Sequence, residues 1–301
     1  MTPSATVKPT RLRAWMMASR PATLPAAVAP VLVGTAVAIR AGHFSALPFL
    51  AALVAAVLIQ IGTNLANDLF DYRKGADTSA RLGPTRVTQS GLISPRDVER
   101  ATFATFGLAV LIGLYLVAVG GLPILLIGLA SIASGIAYTG GPWPLGYHGL
   151  GDLFVFIFFG LVAVTGTYYV QAGAFSYTAL AAAVPVGLLI TAILVVNNVR
   201  DIETDRLAGK RTLAVRLGRG ATRLQYAACL AGAYLVPLLM WLGHQESWLF
   251  WLPWLSAPIA VRLVRTVSTR EDGPALNGAL KGTGRLNLLF ALLFAISLPW
   301  P

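Results

Sequence analysis

Apolar runs of about 20 residues recur along this chain, and all but one of its 23 basic residues fall in four of the polar segments between them. A run of that length crosses the roughly 30 Å hydrocarbon core of a bilayer as a helix, the conformation that satisfies every backbone polar group within its own segment. The runs are predicted at about 22–39, 47–66, 101–119, 122–139, 153–170, 177–199, 224–242, 248–264 and 286–300. The expected fold is all-α: a polytopic membrane protein whose nine transmembrane helices surround a central cavity open to the cytoplasmic side. It forms one domain over 1–301, with 1–18 as a cytoplasmic N-terminal tail. A hydrophobic share of 56% and a charged share of 12% agree, since soluble domains average about 45–50% and about 25%.

The basic residues orient the bundle, because Lys and Arg are retained on the cytoplasmic side. They lie in the N-terminal tail and after the second, sixth and eighth runs, which is one face if nine spans alternate; Arg40 alone falls on the other. The N-terminus is then inside the cell and the C-terminus outside, in the cell (plasma or inner) membrane. The first run reads as a retained span, since removing it as a signal peptide would upset that alternation. A net charge of +11 suits anionic lipid or an anionic substrate, and nucleic acid is a poor partner because the aromatic residues sit mostly in the spans. Cys229, the single cysteine, allows neither an intrachain disulfide nor a thiolate metal site.

Two polar clusters interrupt this pattern. In "NLANDLFDYRKGAD" (64–77), Asn64, Asn67, Asp68 and Asp71 fall on one helical stripe at i, i+3, i+4 and i+7. In "NNVRDIETD" (197–205), Asn198, Asp201 and Asp205 do the same at i, i+3 and i+7. Laying Asn64 on Asn198 also aligns Asp71 with Asp205 and Gly75 with Gly209, at one offset of 134 residues.

Carboxylates at the edge of hydrocarbon are costly and should face a polar cavity. Like charges on one stripe repel, so a cation is their natural compensator. Hard oxygen ligands without His or Cys point to Mg²⁺, which binds a few carboxylates while bridging to phosphate. The neighbouring Arg73, Lys74, Arg86, Lys210 and Arg211 supply what a diphosphate needs beside metal. An apolar tail could enter such a site sideways from lipid while its charged head stays at the surface, and a polyprenyl diphosphate has that shape. Intramembrane acids also mark cation-coupled transporters, but those sites tend to lie near the midplane, and these acids lie at one face beside abundant Arg.

The two motifs resemble those of the UbiA-type intramembrane aromatic prenyltransferases. "GPTRVTQSGLIS" (83–94), "AYTGGPWPLGYHGLGDLFVFIFFG" (137–160) and "SRPATLPAA" (19–27) look like the branch that prenylates 1,4-dihydroxy-2-naphthoate, as against sister branches using 4-hydroxybenzoate, homogentisate or a chlorophyll-type acceptor. The resemblance implies Mg²⁺-dependent transfer of a polyprenyl chain from its diphosphate to the naphthoate, with decarboxylation, in menaquinone synthesis; no obligatory protein partner is evident in the sequence. By the same resemblance Asp68 and Asp71 would hold one Mg²⁺ and Asp201 and Asp205 the other, with Asn64, Asn67 and Asn198 in support and Lys210 and Arg86 on the diphosphate. Tyr138, Trp143 and Tyr147 are candidates for walls around an allylic cation, and His148 for positioning the acceptor. The chain departs from the family pattern at Gly75, where many relatives have an acid, with Asp77 two positions later, and at Ala22, where many have Lys.

Overall fold

The computed structural model describes residues 9–76, 82–244 (His244 by its backbone) and 247–300; Lys8, Asp77 and Arg81 lie outside them. All regular structure among the described residues is helical. The chain opens with α1 (Arg11–Ser19), capped by the Thr10 hydroxyl accepting from the Arg13 amide. Its buried Ala14 and Ala18 pack on Leu65 and Leu69 of α3 (Ala46–Arg73), so part of the expected tail is a helix docked on the bundle. Helix α1 ends at Arg20, whose φ of 52° and ψ of 69° are left-handed, and a short 3-10 turn (Pro21–Thr23) leads into α2 (Pro25–Arg40) at a bend of 48°.

After α3 come α4 (Pro95–Ala137), α5 (Gly151–Val155) and α6 (Ala163–Ala172), the last two joined through a π-helical turn (Phe156–Val162). Then follow α7 (Tyr177–Leu207), α8 (Leu213–His244), α9 (Ala257–Thr269) after a 3-10 stretch (Trp248–Ser256), and α10 (Gly273–Ser297). Six helices are long and apolar enough to cross a membrane, seven if the bent α1–α2 pair counts as one span, so the expected nine are not confirmed. Two physical reasons account for the difference. Helix α4 holds two expected runs in one 43-residue element, broken only at Gly121, where φ of 68° and ψ of −155° demand a glycine. The eighth run is 3-10 over its first nine residues, which leaves α9 only 13 residues long.

Contacts between helix ends show which ends lie together. Arg40 at the close of α2 donates to the carbonyl of Leu298 (3.2 Å), and Ser45 pairs with Gln171. At the opposite, basic end, Arg223 donates to the carbonyls of Val267 and Arg270, and Asn277 to that of Leu82. Helix α7 is central: 72% of its apolar window is buried, against 11% for α4, which faces outward. A Cβ on Gly160 would stand 2.6 Å from the Cα of Gly187, so the π turn and α7 touch backbone to backbone.

Candidate active site

The two acidic stripes end their helices in the same way. At α3 the amide of Ala76 donates to the carbonyl of Asp71 (2.9 Å); at α7 the amide of Lys210 donates to that of Asp205 (2.8 Å). Gly75 (φ 64°) and Gly209 (φ 71°) take the left-handed position that such a helix end requires. The offset of 134 in the sequence is therefore an offset between two equivalent helix ends, and both open onto one cavity of about 220 Å³.

Asn64, Asn67 and Asp71 line this cavity from α3, and Asn198, Asp201 and Asp205 from α7. Arg86, Tyr138, Tyr147 and Lys210 also line it. Asp71 is buried and accepts from Arg86 Nη2 (2.8 Å), the Tyr147 hydroxyl (2.6 Å) and Lys210 Nζ (3.2 Å). The Lys210 ammonium also sits 4.6 Å from the Tyr147 ring centre. Asp201 is gripped by its own neighbour: Arg200, fully buried, donates from Nε to Oδ1 (2.7 Å) and from Nη2 to Oδ2 (2.5 Å), and reaches Asn277 and Asn197 as well. Asn67 accepts from the Thr139 hydroxyl (2.7 Å), and Asn64 donates to the Ser19 carbonyl and the Thr23 hydroxyl.

The other expected residues go elsewhere. Asp68, three residues before Asp71, does not line the cavity; its two oxygens accept the backbone amides of Val87 and Thr88, both at 3.2 Å. It thereby fixes the turn that carries Arg86, while Val87 is buried against α1 and α3. Arg73 pairs with Glu99 on α4 (2.9 Å), away from the cavity. Lys74 donates to the carbonyls of Thr139 and Gly141; burial there pushes its pKa down, a shift opposed by Asp71 and reinforced by Lys210. The Arg211 side chain is exposed, and only its backbone amide reaches inward, to the Tyr147 carbonyl. Trp143 is largely exposed and stacks on His148, whose Nδ1 lies 2.8 Å from the Pro144 carbonyl, and neither lines the cavity.

Sequence reasoning missed Arg200, which reads as one more basic residue of the inner face, and Gln60, whose polar side chain inside an apolar run one turn before Asn64 was a usable signal. Among the described residues no three His, Cys, Asp or Glu side chains converge as a cation site, because Asp71 and Asp201 are turned toward Arg and Lys. The cavity adjoins a second of about 130 Å³, sharing Gln60, Thr63, Tyr138 and Phe159 with it. That one adjoins a third of about 190 Å³, sharing Ala56, Ile59, Ser131 and Phe158, and the walls become steadily more apolar along the way.

Comparison with known proteins fits this arrangement. The sequence signature of the UbiA prenyltransferase family matches residues 27–277. A 1,4-dihydroxy-2-naphthoate octaprenyltransferase of Escherichia coli (strain K12) is 42% identical, over 96% of each chain. One of Mycobacterium tuberculosis (strain ATCC 25618 / H37Rv) is 40% identical, over 93% of this chain and 95% of that one. Among solved structures, a UbiA homolog from Archaeoglobus fulgidus bound to GPP and Mg²⁺ superposes with a TM-score of 0.64 at 16% identity, over 95% of this chain and 99% of that one.

Proposed function

The chain belongs to the UbiA prenyltransferase family, and from that premise we infer that it transfers a polyprenyl chain from polyprenyl diphosphate to 1,4-dihydroxy-2-naphthoate, with loss of the ring carboxylate, in menaquinone synthesis. It is a multi-pass membrane enzyme. The excess of Lys and Arg at one end supports a cytoplasmic active site and N-terminus in the cell membrane. The observation that carries the reading is the convergence of two oxygen-bearing helix ends, Arg86 and Lys210 on one cavity that continues into apolar chambers.

Oxygen donors on both walls, without imidazole or thiolate, fit a hard divalent cation such as Mg²⁺ held jointly by protein and diphosphate. Asn67 and Asp71 would hold one ion and Asn198, Asp201 and Asp205 a second. Bound there, the ions supply positive charge that stabilises the departing diphosphate. Asp68, assigned to the metal on the sequence, acts in this reading by setting the turn that presents Arg86.

Arg86 and Lys210 hold the diphosphate oxygens as the allylic carbon–oxygen bond breaks. Tyr138 and Tyr147 face the resulting cation with their rings, and Phe159 and Val155 keep water away from it. The electron-rich ring attacks the allylic carbon, and loss of CO₂ restores its aromaticity, so no strong base is required. The apolar chambers take the tail.

Membranes containing the protein, given 1,4-dihydroxy-2-naphthoate and a long prenyl diphosphate, should form demethylmenaquinone only with Mg²⁺, and Asp71→Asn should abolish it. Turnover confined to another phenolic acid would move the protein to a sister branch. No turnover with any acceptor would defeat the reading.

A further inference from the structure

We propose that Gln60 recognises a ring hydroxyl of the aromatic acceptor, placing the acceptor ring at the junction of the polar cavity and the first apolar chamber. The proposal rests on the prenyl-transfer reading above. Gln60 lies on the α3 stripe one turn deeper than Asn64, is 7% exposed, and lines both cavities. Its amide orientation is set by hydrogen-bond accounting. The Thr23 hydroxyl has one proton, donated to the carbonyl of Arg20 (3.0 Å). Its oxygen must therefore accept from Gln60 Nε2 (3.2 Å) and Asn64 Nδ2 (3.1 Å). That leaves Gln60 Oε1 as a buried acceptor without a donor among the described residues.

A buried carbonyl oxygen without a donor is unfavourable, so a ligand that supplies one gains affinity there. A prenyl tail has no donor and would bury the oxygen unmatched. A diphosphate is itself an acceptor. A phenolic O–H is the group that fits, and a dihydroxynaphthoate carries two. Position agrees as well: Gln60 is seven residues from Asn67, about 10 Å along the helix axis. The diphosphate, the allylic carbon and the reacting edge of the ring occupy that distance in turn, and the hydroxyls, on the two carbons that flank the reacting edge, then fall at the depth of Gln60. Tyr138 and Phe159, which line both cavities, give it aromatic walls.

The test compares wild type with Gln60→Leu, a change of similar size that removes the acceptor oxygen without leaving a buried polar atom. Steady-state transfer gives KM for each substrate, and 1-hydroxy-2-naphthoate and 4-hydroxy-2-naphthoate are measured as competitive inhibitors. The proposal expects KM for the naphthoate to rise roughly five- to tenfold, with KM for prenyl diphosphate and the half-saturating Mg²⁺ concentration unchanged. In wild type one monohydroxy compound should bind roughly five- to tenfold more weakly than the other, and in Gln60→Leu that difference should vanish. A difference that survives in Gln60→Leu overturns the proposal, as does an equal rise in KM for both substrates. If wild type does not prenylate the naphthoate at all, the parent reading fails and the proposal falls with it.

Discussion

The ends of α3 and α7 share a backbone and differ in what surrounds it. Both finish with the same wrap of amides onto an aspartate carbonyl and the same left-handed glycine. At α7 the acidic cluster is assembled by its own helix, with Arg200 clamping Asp201 and tying it to Asn197 and, on α10, to Asn277. At α3 the carboxylate of Asp71 takes its partners from beyond its own helix: Arg86, Tyr147 and Lys210 arrive from three other segments. One wall of the site is prefabricated and the other is put together by loops. Removing the Arg200 clamp at the first should therefore show in stability, and removing the Asp71 charge at the second in substrate affinity and rate.

The largest expected effect is on rate. Asp71→Asn keeps shape and removes the charge on which three donors converge, and kcat should fall at least about 10²–10³-fold while the protein stays folded in detergent. A comparable fall in melting temperature would erase the distinction between the two walls. Arg200→Ala should do the converse, since it strands a buried carboxylate: a loss of about 3–5 kcal/mol, read as lowered thermal stability even without substrate. An unchanged melting curve would show that Asp201 does not depend on its neighbour. Asp68→Ala should loosen the Arg86 turn, raising KM for prenyl diphosphate about tenfold with the Mg²⁺ requirement unaltered. A parallel shift in the half-saturating Mg²⁺ concentration would restore Asp68 as a metal ligand. The smallest effect tests the shared backbone: Gly75→Ala and Gly209→Ala meet no atom within 4 Å, so each should cost the same, about 1–2 kcal/mol, from the left-handed conformation alone. Unequal losses would break the equivalence.

Much of this site could be read from the chain because helical spacing is rigid. Asn64, Asn67, Asp71, Asn198, Asp201 and Asp205 share a cavity because residues three, four and seven apart share a face. The glycine pair and the flanking Lys210 and Arg86 followed from type and place. The spacing could not decide which way a residue at the margin of the stripe turns. Asp68 is on the stripe of Asp71 yet faces the Val87 and Thr88 amides, a choice made by a loop that pairs with it across 19 and 20 residues. Arg73 turns to Glu99 while its neighbour Lys74 turns under the 139–141 turn, and α4 settles that contest. Tyr147 lies in a Gly/Pro-rich connection with no periodicity to orient it. The count of nine spans is not confirmed helix by helix, because α4 carries two runs across Gly121 and the eighth run begins as a 3-10 stretch.

The π turn at Phe156–Val162 bears on how such a chamber can arise. Its hydrogen bonds reach one residue further than those of an α-helix, so the turn holds an extra residue and the two halves of the span are out of phase. The consecutive Phe158 and Phe159 both line the middle chamber, while Gly160 lies flush on Gly187. The turn brings two neighbouring rings onto one wall of the chamber, while much of the remaining wall is made of small residues such as Ala27, Ala56, Ser134 and Gly135. Comparison of this span across relatives should therefore weigh one-residue gaps near Phe158 as heavily as substitutions, because either can rebuild the wall.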